Sequence, residues 1–439
     1  MKTKSYFIHV LCACFVSLQS LFAQEVLTLS DALKLALENN YSILIAKNEA
    51  EISKNNNRIG AAGMLPSVVG TINQDNQIQD SRQKFLNGTD NNKDGAKNNS
   101  LNANVELGWT IFDGMKMFAT KNRLNELQQI GELKMRANIE NTFMRITKAY
   151  FDVLLAKQQL LSNEEALATT KQRRELAEEK WKAGKSPKTE VLKARVDENA
   201  DSATYLRQLI AVNNLKVTLN QLLARDINTS FEIDTNSSAI QKQYVLNELM
   251  NKVTAQNASL LIAKKNQQIS LLSLREIQAE RMPTIQLKSG YNYNKQQSEA
   301  GFLQSSQTNG FHFGAGLSIN LFNGFDVSKR MQNAKLTTRS YELVYKDSLT
   351  RMQNQIQLAY NNFVLSQKLV EFEKQNLSIS KENFEIANEQ YKVGVITSIE
   401  LREAQLNLLK SKIRLYSSEY EAKINETELL RLSGELMRF

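Results

Sequence analysis

The sequence predicts a mainly α-helical chain of long coiled-coil hairpins, with four β-strands inserted in pairs. Three observations carry this prediction. The chain is written twice, its helix breakers are confined to a few places, and its hydrophobic period switches between seven and two.

The duplication is visible at a fixed offset. Asn40 to Lys47 (NYSILIAK) aligns with Asn257 to Lys264 (NASLLIAK), a shift of 217 residues that also takes Pro66 to Pro283. Further on the shift is 210. It carries Phe112–Gly114 to Phe322–Gly324, Ala149–Tyr150 to Ala359–Tyr360, Trp181–Gly184 to Tyr391–Gly394 and Glu190 to Glu400. Residues 28–227 and 245–434 are therefore two copies of one architecture. The second has a shorter connection between its proline and its Phe-x-Gly.

The breakers punctuate each copy. Of 17 glycines, 13 lie in 60–114 and 290–324. Between Glu132 and Ser289 the only glycine is Gly184, with Pro187 beside it, and between Phe325 and Ser433 the only one is Gly394. Uninterrupted stretches of that length read as helices. Ile139, Ile146, Val153, Leu160 and Leu167 repeat every seven residues. So do Leu349, Ile356, Phe363, Val370, Leu377, Phe384 and Tyr391, and, past the glycine, Leu401, Leu408, Leu415, Ala422 and Leu429. A strict heptad keeps one seam on a partner helix and implies left-handed supercoiling. A helix from Met115 to Ala183 is roughly 100 Å long at 1.5 Å per residue. Each copy thus forms a long hairpin, with tips near 184 and 394.

Strands precede the long helices. Leu101, Ala103, Val105, Leu107, Trp109 and Ile111 alternate with polar residues and glycine, and so do Phe311, Phe313, Ala315, Leu317, Ile319 and Leu321. Ile285, Leu287, Tyr291 and Tyr293 do the same. The expected strands are near 66–76, 101–112, 283–294 and 311–322. About 11 residues is the length of a tilted membrane-spanning strand. Four strands cannot close a barrel. Either they form a soluble sheet, or several chains pool them, with Trp109, Phe311, Phe313 and Leu317 facing lipid.

Composition narrows the function. The chain has 439 residues, 55 Lys+Arg against 46 Asp+Glu, two cysteines and two histidines. Residues 1–23 have the pattern of a cleaved export signal: Lys2 and Lys4, a nearly uncharged run from Phe7 to Phe22, then Ala23. Lipidation at Cys14 is the alternative processing. Removal of that segment takes away Cys12, Cys14 and His9, leaves one histidine, His312, and gives a charge of 53 − 46 = +7. That inventory excludes disulfides, Cys/His zinc sites and Ser-His or Cys-His catalysis, so the chain reads as a non-enzyme without cofactor or metal. The basic residues are spread along helices among acids, which does not support nucleic-acid binding. Asp90-x-Asn92-x-Asp94-Gly95 resembles the start of a calcium loop, but Leu101 stands where the bidentate glutamate belongs. It reads as an Asn/Asp-rich loop, and His312 as a residue on a strand's polar face.

The ordered set resembles the TolC family of outer-membrane efflux proteins over nearly the whole chain after residue 23. The residues that carry it are Leu27–Leu33 (LTLSDAL) with Ala36 and Asn39–Asn40, the prolines Pro66 and Pro283, Leu321–Gly324 after the last strand, and the tips Trp181–Gly184 and Tyr391–Gly394 with Glu400–Leu401. The resemblance implies a homotrimer in the outer membrane of a Gram-negative bacterium. An α-barrel in the periplasm would continue into a shared 12-stranded β-barrel, four strands from each chain. It further implies a passive exit duct of a tripartite efflux or type I secretion system, with a periplasmic adaptor and an inner-membrane pump as partners. Glu400 and Glu403 match an acidic entrance ring. Tyr391 and Glu190, with Thr189 beside them, match a tip lock. Gly184, Lys185, Ser186, Gly394, Val395, Thr397 and Ser398 match the adaptor-docking tips. Ile396 replaces the arginine expected near Gly394, leaving Lys185 and Lys188 as nearby cations. A periplasmic coiled-coil scaffold with a soluble sheet is the alternative reading.

Overall fold

The computed structural model describes residues 26–234, 243–301 and 303–436. The expected export signal, with Cys12, Cys14 and His9, lies outside the described residues. In chain order the elements are β1 (Val26–Leu27), α1 (Leu29–Asn39), α2 (Tyr41–Asn56), β2 (Ser67–Lys84), β3 (Asp90–Asp113), α3 (Lys116–Lys182), α4 (Lys188–Leu222), β4 (Glu232–Ile233), α5 (Leu246–Gln256), α6 (Ala258–Ala279), β5 (Thr284–Ser298), β6 (Ser305–Ser318), α7 (Asp326–Val393) and α8 (Ser398–Ser433). The long helices α3 and α7 have 67 and 68 residues. No helix among the described residues is long and apolar enough to cross a membrane.

The contacts divide the chain into two units, one of which takes Ala46–Arg136 and Ala258–Arg351. This unit holds a four-stranded antiparallel sheet of order β2-β3-β5-β6. The register separates two faces. Val68, Ile72, Val105, Leu107, Trp109, Leu287, Tyr291, Phe311, Phe313 and Leu317 share one face. Asn73, Asn102 and Asn294 lie across from one another on the other, as do Thr71, Asn104 and Asn292. The apolar face is exposed at Val68, Ile72, Val105, Phe311, Phe313 and Leu317. Beyond Leu101 that face turns polar, with Asn76, Asn99 and Gln297 in one row.

The strands differ from the expected lengths for physical reasons. β2 and β3 run to 18 and 24 residues, because backbone pairing continues after the side-chain alternation that revealed them has stopped. The Asn/Asp-rich segment is therefore strand and not loop: Asp90 pairs with Lys84 and Asn92 with Arg82. The turn is Phe85–Thr89, where Gly88 has φ +86°. At the other end β6 stops at Ser318, although alternation continues to Leu321. Its partner β5 begins at Thr284, directly after Pro283, and a proline has no N–H to extend the ladder.

The remaining described residues form the second unit, a helical one whose cores repeat. Ile146, Val153 and Leu219 are fully buried in one cluster with Leu27 and Phe231. Ile356, Phe363 and Leu429, each 210 residues further on, are buried in a second cluster with Leu249 and Val253. Even the hydrogen bonds repeat. Asn40 Nδ2 donates to the Leu222 carbonyl at 2.7 Å, and Asn257 Nδ2 to the Leu432 carbonyl at 2.9 Å.

Two stripes in this unit remain uncovered. On α4, Leu192, Val196, Leu206, Ile210 and Val217 are exposed at coiled-coil spacing. On α7, Leu358, Leu365, Phe372, Ile379, Ile386 and Val393 are exposed, seven apart. This second series runs two positions after the buried Ile356–Phe363 seam. At about 100° per residue, two positions carry it to the opposite side of the helix.

Candidate functional site

The two hairpin turns are built alike. Gly184 and Gly394 have φ +69° and +84°, a region that costs any residue with a Cβ about 1–2 kcal/mol. In the first turn Gly184 N–H donates to the Trp181 carbonyl at 2.9 Å, and Lys185 N–H to that of Lys180 at 2.8 Å. In the second the same pattern joins Gly394 to Tyr391 at 3.1 Å and Val395 to Gln390 at 2.9 Å. Both are Schellman terminations, which satisfy the last carbonyls of a helix. The return helices begin differently. Pro187 caps α4 with no side-chain bond. Thr397 caps α8 in a reciprocal capping box: Glu400 N–H donates to Thr397 Oγ1 at 3.3 Å, and Thr397 N–H to the Glu400 carboxylate at 2.7 Å. These bonds to Thr397 hold the Glu400 carboxyl below the usual carboxylate range.

Above the turns the two hairpins are clamped together. Arg402 of α8 grips Asp201 of α4 with both terminal nitrogens, at 2.7 and 2.8 Å. Thr170 of α3 donates to the same carboxylate at 2.7 Å, and Gln405 of α8 donates to the Thr170 hydroxyl at 3.0 Å and the Ala166 carbonyl at 2.8 Å. One turn closer to the tips, buried Arg173 pairs with Asp197, and its Nη1 donates to the Ser398 carbonyl at 3.5 Å. The Ser398 hydroxyl donates to Glu190. Lys180 Nζ donates to the Tyr391 carbonyl at 3.0 Å and sits 4.6 Å from the centre of that ring. The phenol itself is buried beside Ala387, Leu401 and Ala404, and Leu176 of α3 packs against this cluster. A cleft of about 410 Å³ opens here, lined by Arg173, Glu190, Tyr391, Ser398, Arg402 and Glu403 among others.

The electrostatics follow the contacts. The bond from Ser398, with Lys193 in support, holds the Glu190 carboxyl below its usual range despite partial burial. Burial pushes the Tyr391 phenol up, against the pull of Arg173. Burial opposes the charge on Arg402, but Asp201 outweighs it and raises the guanidinium further.

The structure brings some of the expected residues together and separates others. Glu190 and Tyr391 line one cleft, yet Glu190 bonds to Ser398 and not to Tyr391. Thr189 is exposed. Glu403 lies exposed on the cleft wall, while Glu400 folds back on its own cap. Lys188 lies 5.8 Å from the centre of the Trp181 ring, and the cations beside Tyr391 and Ser398 are Lys180 and Arg173. The sequence does not single out the Arg402–Asp201 and Arg173–Asp197 pairs. Their only local signal is the i,i+4 spacing of Asp197 and Asp201 on one helix face.

Residues 32–225 and 249–435 match the family described as outer membrane efflux protein. The chain belongs to that family. Among curated relatives, the outer membrane protein TolC of Vibrio cholerae is 22% identical over 308 residues, 68% of this chain and 69% of the relative. The alkaline protease secretion protein AprF of Pseudomonas aeruginosa is 20% identical over 405 residues, 90% and 82% of the two chains. Among solved structures, the CusC channel superposes with a TM-score of 0.75 at 16% identity, covering 92% of each chain. The Campylobacter jejuni CmeC outer membrane channel superposes at 0.74 and 16%, covering 93% and 86%. The protein is thus an outer-membrane channel-family member with the α-barrel and β-barrel fold of that class, and its relatives are channels and not enzymes.

Proposed function

We propose that three copies of this chain form one passive exit duct, which conducts cargo from the periplasm to the outside for an efflux or type I secretion system. The observation that carries this reading is the unfinished sheet. Four strands end in two open edges, β2 and β6, under an exposed apolar face. In a membrane open edges are not tolerated, and closure requires strands from other copies. The stripes on α4 and α7 support the same conclusion. They are unlike surfaces, and unlike surfaces that meet head to tail generate a ring. With threefold symmetry the four strands per chain become twelve, and the apolar face meets lipid.

In this reading the tips are the periplasmic entrance. Glu403, with Glu400 behind it, supplies an acidic ring, and Tyr391, Glu190 and Thr189 sit at the lock. Gly184, Lys185, Ser186, Gly394, Val395, Thr397 and Ser398 form the surface that docks a periplasmic adaptor. An inner-membrane pump supplies the energy through that adaptor, and the duct itself needs no cofactor. The deciding experiment is the native mass of the protein extracted from outer membranes in mild detergent. A mass of three protomers is expected. A monomer or dimer recovered without detergent would remove the duct and leave a periplasmic scaffold.

A further inference from the structure

Within residues 77–99 of the long β2–β3 hairpin, only Ser81 and Ala96 are buried. The register shows how. Gln79 and Ala96 pair on the polar face, two rows beyond Asp75 and Ser100. There the ladder slips. Asp94 and Gly95 oppose the single Asp80, Gly95 has φ +63°, and its N–H donates to the Asp80 carboxylate at 2.7 Å. This is a β-bulge, which bends and twists the strand that carries it. β2 has no extra residue, so Ser81 and Gln83 stay on the face of Asn73 and Asn102, and Lys93 pairs with Ser81 there. From that face Gln83 Nε2 donates to the Ala300 carbonyl at 3.3 Å, and Lys93 pairs with Glu299 at 3.2 Å. Both acceptors belong to the turn between β5 and β6, beyond β3 from β2. The arm of residues 81–94 therefore folds back across the polar face. Its cover leaves Ala96 with no exposed surface and Ala300 with 6%. Glu299 fixes the turn that receives the arm: its N–H donates to the Lys97 carbonyl at 3.0 Å, and its carboxylate accepts from Lys97 N–H at 3.3 Å.

We infer that this arm is a lid over the outer mouth of the duct, one from each copy, which passes ions and holds back large solutes until it swings off the β5–β6 turn. The inference rests on the duct reading above, in which the polar face lines the lumen. The dimensions fit. A barrel of twelve strands, about 4.8 Å apart and tilted about 40°, has a backbone radius of about 12 Å. A layer packed on a sheet stands about 10 Å from it, and less over alanine and serine. Three arms lying on the inner face thus leave a narrow passage. The contacts also suit a part that moves. Beneath the arm lie only Ser81, Ala96 and Ala300, and the Lys93 and Glu299 side chains are 44 and 47% exposed. An ion pair that open to water holds weakly, so the arm can leave the turn while the ladder below Gln79 stays paired.

The test measures access from outside. The chain's two cysteines, Cys12 and Cys14, lie in the expected export signal, so Asn102→Cys places a lone reporter on the polar face below the lid. Intact cells carrying this full-length protein are treated with a small membrane-impermeant maleimide, and in parallel with a maleimide on a long neutral polyethylene glycol. The small reagent should label readily and the large one slowly. Deleting residues 82–93 leaves Asp94-Gly95 to make a hairpin turn, and should speed labelling by the large reagent about ten-fold. Lys93→Glu keeps the whole arm but sets a like charge against Glu299; it should speed that labelling about three-fold, and adding Glu299→Lys should restore the slow rate. Native mass controls for assembly, and if the deletion fails to assemble, the Lys93→Glu pair decides. Trimers that the large reagent labels equally fast with the lid intact, deleted or charge-reversed overturn the lid and leave the duct standing. If even the small reagent reaches Asn102→Cys only after the outer membrane is permeabilised, with or without the arm, the polar face is not a lumen open to the outside, and the duct reading falls with the lid.

Discussion

Replacing Asp201 with Asn isolates the clamp between the hairpins without changing its volume. The native carboxylate receives two bonds from Arg402 and one from Thr170, all between 2.7 and 2.8 Å. The Asp201 and Arg402 side chains are 14 and 17% exposed. Removing one partner of a fully buried pair costs about 3–5 kcal/mol, and an exposed pair is worth about 0.5. A pair this far from solvent, but not sealed from it, should cost about 2 kcal/mol when Arg402 is left with only the more distant Asp197, 4.0 Å away. At 1.36 kcal/mol per decade, the local opening constant rises about 30-fold. Hydrogen exchange on the detergent-solubilised protein reads this directly, because protection reports local opening. Amides near Asp201 and Arg402 should lose about 30-fold protection, while those near the Asn257–Leu432 bond keep theirs. Adding Arg402→Gln should cost less than the two single changes summed, because the charge that lost its two short bonds is gone. Protection within about three-fold of wild type, or strictly additive losses, would refute the assignment of Asp201 and Arg402 as a clamp.

Three further outcomes are expected. Tyr391→Phe with Glu190→Gln should raise resting conductance in planar bilayers. Because the Glu190 carboxyl is depressed by its contacts, its contribution is complete above the ordinary carboxylate value of about 4.3 and lost as pH falls through the lower folded value. Wild-type conductance should therefore hold from neutral to about pH 5 and rise below about pH 4, whereas Glu190→Gln flattens that rise; a wild-type profile unchanged down to pH 3 sinks the lock. Ile379→Asp on α7 or Leu206→Asp on α4 should shift the native mass toward one protomer, since each puts a charge into an exposed apolar stripe; intact trimers from both would show that the stripes do not face neighbours. Phe313→Arg should reduce outer-membrane insertion, a lipid-facing arginine costing about 2–4 kcal/mol at the midplane. Thr308→Arg on the opposite face should insert normally, and equal loss in both would contradict the assignment of faces.

What the sequence revealed was whatever repeats. The buried seams lie where the heptads put them, at Ile146, Val153, Ile356, Phe363 and Leu429. Both turns fall on the two isolated glycines. Strand ends were less legible, because Asn91–Lys93 and Ala96–Asn99 pair by backbone while their side chains carry no alternation. The second stripe on α7 is hard to read because, in a helix apolar on two faces, the first period hides the next. The clamp was illegible for another reason. Arg173 and Gln405 are buried, and polar residues in a seam read as interruptions until their partners on other helices are known. Asp201 and Arg402 are 201 positions apart, a pairing that no local rule specifies.

The two copies also show where each constraint acts. In the middle of the hairpins the paired positions Ile146 and Ile356, Val153 and Phe363, Leu219 and Leu429 remain apolar and buried, and the Asn40 and Asn257 bonds remain in place. There each helix must fill the same space against its neighbour, and one solution serves both copies. The ends are released from that demand. One return helix starts with a capping box and the other with Pro187. One tip carries Lys182, Lys185 and Lys188, and the other Val395 and Ile399 beside Glu400 and Glu403. The β2–β3 hairpin extends well past the length of β5–β6. Divergence at the ends over a shared middle is what is expected if the ends meet partners and the middle meets only the protein itself. In the proposed trimer the duplication would make a near-sixfold ring from a threefold one.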